Sequence, residues 1–205
     1  MADSPWATQR EPDITAELSD AGFEDAVEIG RGGFGTVYRC RQHDLDRTVA
    51  VKVLTSDFGP EDLTRFLREQ RAMGRMSGHP HIVDLYQVGV TQSKRPFLVM
   101  PYRAHGSLDA LIRRDGPLRW ERVLQLGVKI AGALETAHQG GTLHRDVKPA
   151  IFLLTDFDEP QLTDFGIARI AGGFETAAGA ITGSPAFTAP EVLQGHPSTA
   201  ASDVY

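Results

Sequence analysis

Asparagine does not occur in the 205 residues, and cysteine occurs once, at Cys40. A single thiol excludes a disulfide scaffold and a thiolate zinc site, and fits a reducing compartment. Positive charge is also short, with 21 Lys and Arg against 27 Asp and Glu and a net charge of −6. Binding to nucleic acid or to an anionic membrane surface needs a basic face, so that balance argues against both. Long apolar runs are missing too. The longest charge-free stretch, 176–190, is mostly Gly, Ala, Thr and Pro, a loop composition and not a membrane span. The polar start MADSPWATQREPD has no apolar centre, unlike a signal peptide, and the expected location is the cytoplasm. No internal repeat stands out. What remains is an ordinary globular composition, 41% apolar before its 21 glycines are counted, enough for a sizeable core.

Charge and proline dominate residues 1–20, where Trp6 is the lone large apolar group, so a mobile tail is expected there. From Ala26 to Leu54 the pattern turns strand-like. TVYRC and TVAVKVL are β-branched and alternating, joined by the polar turn RQHDLDR. Pro60, Glu61 and Asp62 open a helix carrying Leu63, Phe66, Leu67, Met73 and Met76. HIVDLYQVGV and RPFLVMPY read as two further strands. Ser107 caps a short helix, and Leu118–His138 is apolar on most sides, as a buried helix would be. Strands with one helix, then mostly helices, predict an α+β chain with two lobes.

Five motifs carry chemistry. Gly30, Arg31, Gly32, Gly33, Phe34 and Gly35 precede Thr36 and Val37, a spacing that lets backbone approach phosphates without a Cβ in the way. A dinucleotide fold would open a helix on these glycines, with an acid about 20 residues on. Asp57 roughly supplies the acid, but a β-branched strand follows Gly35, as in a loop that covers ATP. Lys52 lies mid-strand in VAVKVL, with Val51 and Val53 pointing the other way. Glu69, among the apolar residues of the next helix, is its natural partner, because an unpaired acid there would be costly. LHRDVKPA, LTDFGIA and Ala189-Pro190-Glu191 follow in order. His79-Pro80-His81 reads as a loop-to-strand entry and not as a metal site.

With all five in this order, the chain from about Asp20 onward resembles the eukaryotic-like serine/threonine protein kinases of bacteria, actinobacterial members above all. The stretches FLREQRAMGRMSGHPHIV, GTLHRDVKPA and PQLTDFGIARIAGGFETA carry the likeness. The resemblance implies a small lobe over 21–101 and part of a large lobe over 102–205, with ATP and Mg²⁺ between them and protein substrates. It implies that Lys52 and Glu69 clamp the α- and β-phosphates. Asp146 would orient or accept the substrate hydroxyl proton, Lys148 would neutralise charge on the transferred group, and Asp164 would hold Mg²⁺. Val37, Ala50 and Leu153 would sandwich adenine, with Met100 behind the base and the main chain of Pro101 and Arg103 at its edge. Thr176 and Thr182 are candidate phosphosites, able to pair with Arg145 once modified.

Two departures accompany the likeness. A Mg²⁺-binding Asn is expected five residues after Asp146, where Ile151 stands, and isoleucine offers a metal no oxygen. The likeness also stops at the start of the large lobe's central helix. Asp203 is then expected to be too near a frayed end to brace the HRD segment, and Glu191 lacks its distant arginine. A loosely packed, self-associating large lobe follows as an expectation. Three functions remain open: a Ser/Thr kinase region with impaired activity, a pseudokinase-type nucleotide-binding or scaffolding module, or a nonfunctional fragment.

Overall fold

The computed structural model describes residues 13–54, 63–64, 66–68, 70, 74, 76–165 and 185–205. Trp6, Glu69, Gly166, Thr176 and Thr182 lie outside the described residues. The first element is helix α1 (Ile14–Asp20), capped by Asp13, whose carboxylate accepts the Thr15 N–H at 3.1 Å. The mobile tail expected over 1–20 therefore gives way, at its end, to a packed helix. Leu18 is fully buried and Ile14 nearly so. Two apolar residues one turn apart are too few to stand out among charged neighbours, and only the sheet beneath them reveals their purpose. Glu17 secures the helix from the side, accepting the Ser93 N–H at 3.2 Å and hydroxyl at 2.9 Å.

Strands β1 (Phe23–Gly32), β2 (Gly35–Gln42), β3 (Arg47–Leu54), β4 (Gln87–Val90) and β5 (Pro96–Pro101) follow. They form one antiparallel sheet in the order β1-β2-β3-β5-β4. β3 sits mid-sheet and divides its side chains by parity. Val49, Val51 and Val53 join Leu18, Phe23, Cys40, Phe97 and Val99 under α1. Ala50 and Leu54 join Phe66, Val83, Leu98 and Met100 on the other face. Burial pushes the Cys40 thiol up to about 11, so it packs as a small apolar group.

The strand expected over 81–90 shortens to β4, because residues 81–83 bond to Leu162 instead. Val83 N–H donates to the Leu162 carbonyl and Leu162 N–H to the His81 carbonyl, each at 2.9 Å. This bridge ties the sheet half to the helical half. The latter comprises α2 (Leu108–Asp115), α3 (Trp120–Gln139), the antiparallel pair β6 (Phe152–Leu154) and β7 (Pro160–Leu162), then α4 (Pro190–Leu193) and α5 (Ala200–Val204). Its core joins Met76, Ile82, Ala133, Leu134, Ala137, Ile151, Phe152, Leu162 and Phe165. α3, expected to be buried on most sides, buries only Leu126, Ala133, Leu134 and Ala137, while Trp120, Val123, Leu124 and Val128 are exposed.

Leu18→Ala opens a cavity between α1 and the sheet and should cost about 2–5 kcal/mol in denaturant unfolding. Leu45→Ala, at a side chain 60% exposed, should change stability by less than about 0.5 kcal/mol. Equal effects of the two would show that α1 is not part of the core.

Candidate functional site

Where the sheet meets the helical half, a cavity is lined by Gln70, Val83, Leu98, Met100, Thr163 and Asp164, among others. The sheet contributes Leu98 and Met100 to it from β5. Val37 lies opposite Lys52 across β2 and β3, and Ala50 lies opposite Met100 across β3 and β5. Leu153 comes up from β6, so Val37, Ala50, Leu153 and Met100 share one apolar cluster with Phe34. Pro101 ends β5, paired with Val49. Arg103 was expected to act through its main chain. Its side chain is also engaged, Nε donating to Gln161 Oε1 at 3.0 Å.

The glycines between β1 and β2 fall into two kinds. A Cβ at Gly35 (φ 153°) would lie 2.3 Å from the Val53 carbonyl oxygen, so packing itself demands glycine there. A Cβ at Gly30, Gly32 or Gly33 would meet nothing within 4 Å. The chain's own packing does not demand glycine at those three. Arg31 points outward, ion-paired with Glu28 at 2.7 Å.

The charged groups meet in pairs. Lys52 is 6% exposed, and its Nζ lies 2.7 Å from Asp164 Oδ1. Glu69, its expected partner, is outside the described residues; among those described, Asp164 is the carboxylate that holds this ammonium. Asp146 faces Lys148, with Nζ 2.9 Å from Oδ1 and 2.7 Å from Oδ2. Asp164 and Arg145 both occupy the left-handed region, at φ 66° and 68°. Backbone held there in non-glycine residues implies that the surroundings over-determine it.

Those surroundings are a hydrogen-bond network. The His144 ring is fully enclosed; Nε2–H donates to the Thr163 carbonyl at 2.7 Å, and Nδ1 accepts the Asp146 N–H at 3.3 Å. The two bonds fix one neutral tautomer. Phe165 packs beside it, ring centroids 4.8 Å apart. From α5, Asp203 is 1% exposed. Its Oδ2 accepts the His144 N–H at 2.7 Å and the His138 Nε2–H at 2.8 Å, and its Oδ1 accepts the Arg145 N–H at 2.6 Å. The expectation that Asp203 could not brace this segment is thereby corrected: one turn of capped helix suffices when three donors converge on the carboxylate. The capping box of Thr199 and Ser202 holds that turn, and Glu191 accepts the Ser202 hydroxyl at 2.6 Å.

Thr163 and Gln161 escaped the sequence argument. The Thr163 hydroxyl lies 3.7 Å from Met100 Sδ at the back of the cavity. Gln161 joins Arg103 to the Pro80 carbonyl, partners far off in sequence, and no local pattern signals that role. Of the oxygen donors a cation needs, Asp164 presents a carboxylate at the cavity, while Ile151 lies in the core with none.

The sequence matches a family model described as the protein kinase domain over residues 23–205. Serine/threonine-protein kinase PknK of Mycobacterium tuberculosis is 68% identical over 203 residues, which are 98% of this chain and 18% of that protein. PknL of the same organism is 36% identical over 202 residues, 97% of this chain and 50% of that one. The crystal structure of the M. tuberculosis PknI kinase domain aligns with a TM-score of 0.69 at 30% identity, covering 89% of this chain and 68% of that one. The chain thus spans less than a fifth of the PknK sequence it matches.

Burial holds the His144 imidazole below its ordinary value, against the opposing pull of the Thr163 carbonyl and the Asp203, Asp164 and Asp146 carboxylates. A depressed folded value contributes stability in full above the unfolded value of about 6.5 and loses it as the pH falls. Unfolding free energy should therefore decline below about pH 6.5, by up to about 1.4 kcal/mol per pH unit from this group. His144→Asn should flatten that slope, leaving a smaller part from His79, which burial also lowers. An unchanged slope in denaturant titrations of the variant would refute the assignment.

Proposed function

The chain belongs to the protein kinase domain family, and on that premise we propose that it transfers the γ-phosphoryl group of ATP to serine or threonine hydroxyls of a protein substrate in the cytoplasm. The observation that carries this is the meeting of Lys52 and Asp164 at 2.7 Å beside the apolar cluster that joins Val37, Ala50, Met100 and Leu153. In the transfer, a substrate Oγ bonds to the γ-phosphorus as the bond to ADP breaks, and the hydroxyl proton passes to the Asp146 carboxylate. Lys148, 2.7 Å from that carboxylate, orients it and lies where it can offset charge on the group in flight. Lys52 takes the α- and β-phosphates, assisted by Glu69, and the backbone from Gly30 to Gly35 covers them. Adenine packs between Val37, Ala50 and Leu153, in front of Met100, with the main chain of Pro101 and Arg103 along its edge. Asp164 would hold Mg²⁺, which would supply charge neutralisation to the transfer. Little covalent chemistry falls to the protein, so positioning accounts for most of the catalysis. Arg145, fixed through its backbone by Asp203, is the partner for a phosphate on Thr176 or Thr182.

The lobes divide near Pro101, small over 21–101 and large over 102–205. Among the described residues no helix is long and apolar enough to cross a membrane.

Lys52→Met keeps the length of a buried side chain and removes its charge. Radiolabelled transfer to a protein substrate should fall to background, while the circular-dichroism spectrum and melting midpoint stay close to those of the parent. Transfer at the parent rate would sink the assignment of this site.

A further inference from the structure

Position 151 is where the family sets an oxygen ligand for a second cation, and here it belongs to the hydrophobic core. Ile151 is 3% exposed and packs in the cluster with Met76, Leu134, Phe152 and Phe165. Its backbone is committed as well. The N–H donates to the Lys148 carbonyl and the carbonyl accepts the Thr163 N–H, both at 3.1 Å. Hard divalent cations take oxygen ligands, and an isoleucine side chain has none.

Neighbouring oxygens do not make up the loss. Both Asp146 oxygens face the Lys148 ammonium, and the Thr163 carbonyl accepts from His144. Asp156, five residues further along, is exposed in the turn after β6. No frame slip restores the amide, because the chain contains no asparagine. Among the described residues no group of three His, Cys, Asp or Glu is placed to hold an ion. Asp164 is left to bind a cation with the help of the nucleotide's own phosphates.

From these contacts we infer that the nucleotide site admits one divalent cation where the kinase pattern has two, the second position having become part of the core of the helical half. This rests on the nucleotide-binding function proposed above. The site keeps the ion that Asp164 holds and has Lys148 as the remaining fixed positive charge beside Asp146.

The test is a Mn²⁺ titration of the full chain with a non-hydrolysable ATP analogue. Bound ions are counted from the loss of the free-ion paramagnetic resonance signal, and nucleotide uptake is measured separately by calorimetry. One Mn²⁺ per bound nucleotide is the expected count. Ile151→Asn should double it and lower the melting temperature by several degrees, since an amide then replaces a core side chain. Two ions in the unaltered chain would overturn this inference alone. No nucleotide uptake would overturn it together with the proposed function. A folded Ile151→Asn that still binds one ion would refute the role of position 151. Should that variant fail to fold, the count for the unaltered chain still decides.

Discussion

A carboxylate buried to 1% exposure, Asp203, holds the site together. Unpaired, such a charge would not survive burial; here it accepts from His138 and from the backbone of His144 and Arg145. The consequences run outward in order. Arg145 is kept at a positive φ, and His144 is aimed at the Thr163 carbonyl. Thr163 fixes the entry to Asp164, whose own positive φ turns its carboxylate to Lys52. A short helix late in the chain thereby steers the carboxylate that meets a strand lysine far upstream. Removing one partner from such a network typically costs about 3–5 kcal/mol, because the charge left behind stays buried.

The sheet supplies the second constraint. With period two, β3 cannot place Lys52 on the cleft face without sending Val51 and Val53 under α1. Burial on both faces makes the register hard to slip, since a one-residue shift would bury the wrong set of side chains. The lysine is therefore held by apolar packing more than by its own ion pair. The two ion pairs, Lys52–Asp164 and Lys148–Asp146, set each of these carboxylates against an ammonium in the cleft. Phosphates entering it would meet ammonium groups already in position, which lowers the cost of reorganisation.

Ile151 lies in the core of the helical half, a few residues after Asp146 and Lys148. An amide there would have to find partners among Leu134, Phe152 and Phe165, whereas isoleucine extends the same apolar cluster. Stability and chemistry pull apart at this position, as they often do at functional sites.

The sequence by itself determined the alternating faces of β3, the helix capped by Ser107 and the glycine spacing between β1 and β2, and it singled out Lys52, Asp146, Lys148 and Asp164. Each is written in local periodicity or in a short motif, where a few neighbouring residues decide the outcome. It also shows an isoleucine, with no oxygen to offer, at 151, since side-chain chemistry is legible without coordinates. The tertiary structure alone decided that α1 is core and not tail, because Leu18 gains its meaning from Phe23, Val51 and Phe97 beneath it. Only the fold could show that residues 81–83 bond to β7 in place of a strand neighbour, and that one face of α3 is left exposed. Gln161 reaching Arg103 and Asp203 reaching His144 likewise join residues about sixty positions apart. No local pattern encodes which distant donor a buried acceptor will meet; chain closure and packing settle that.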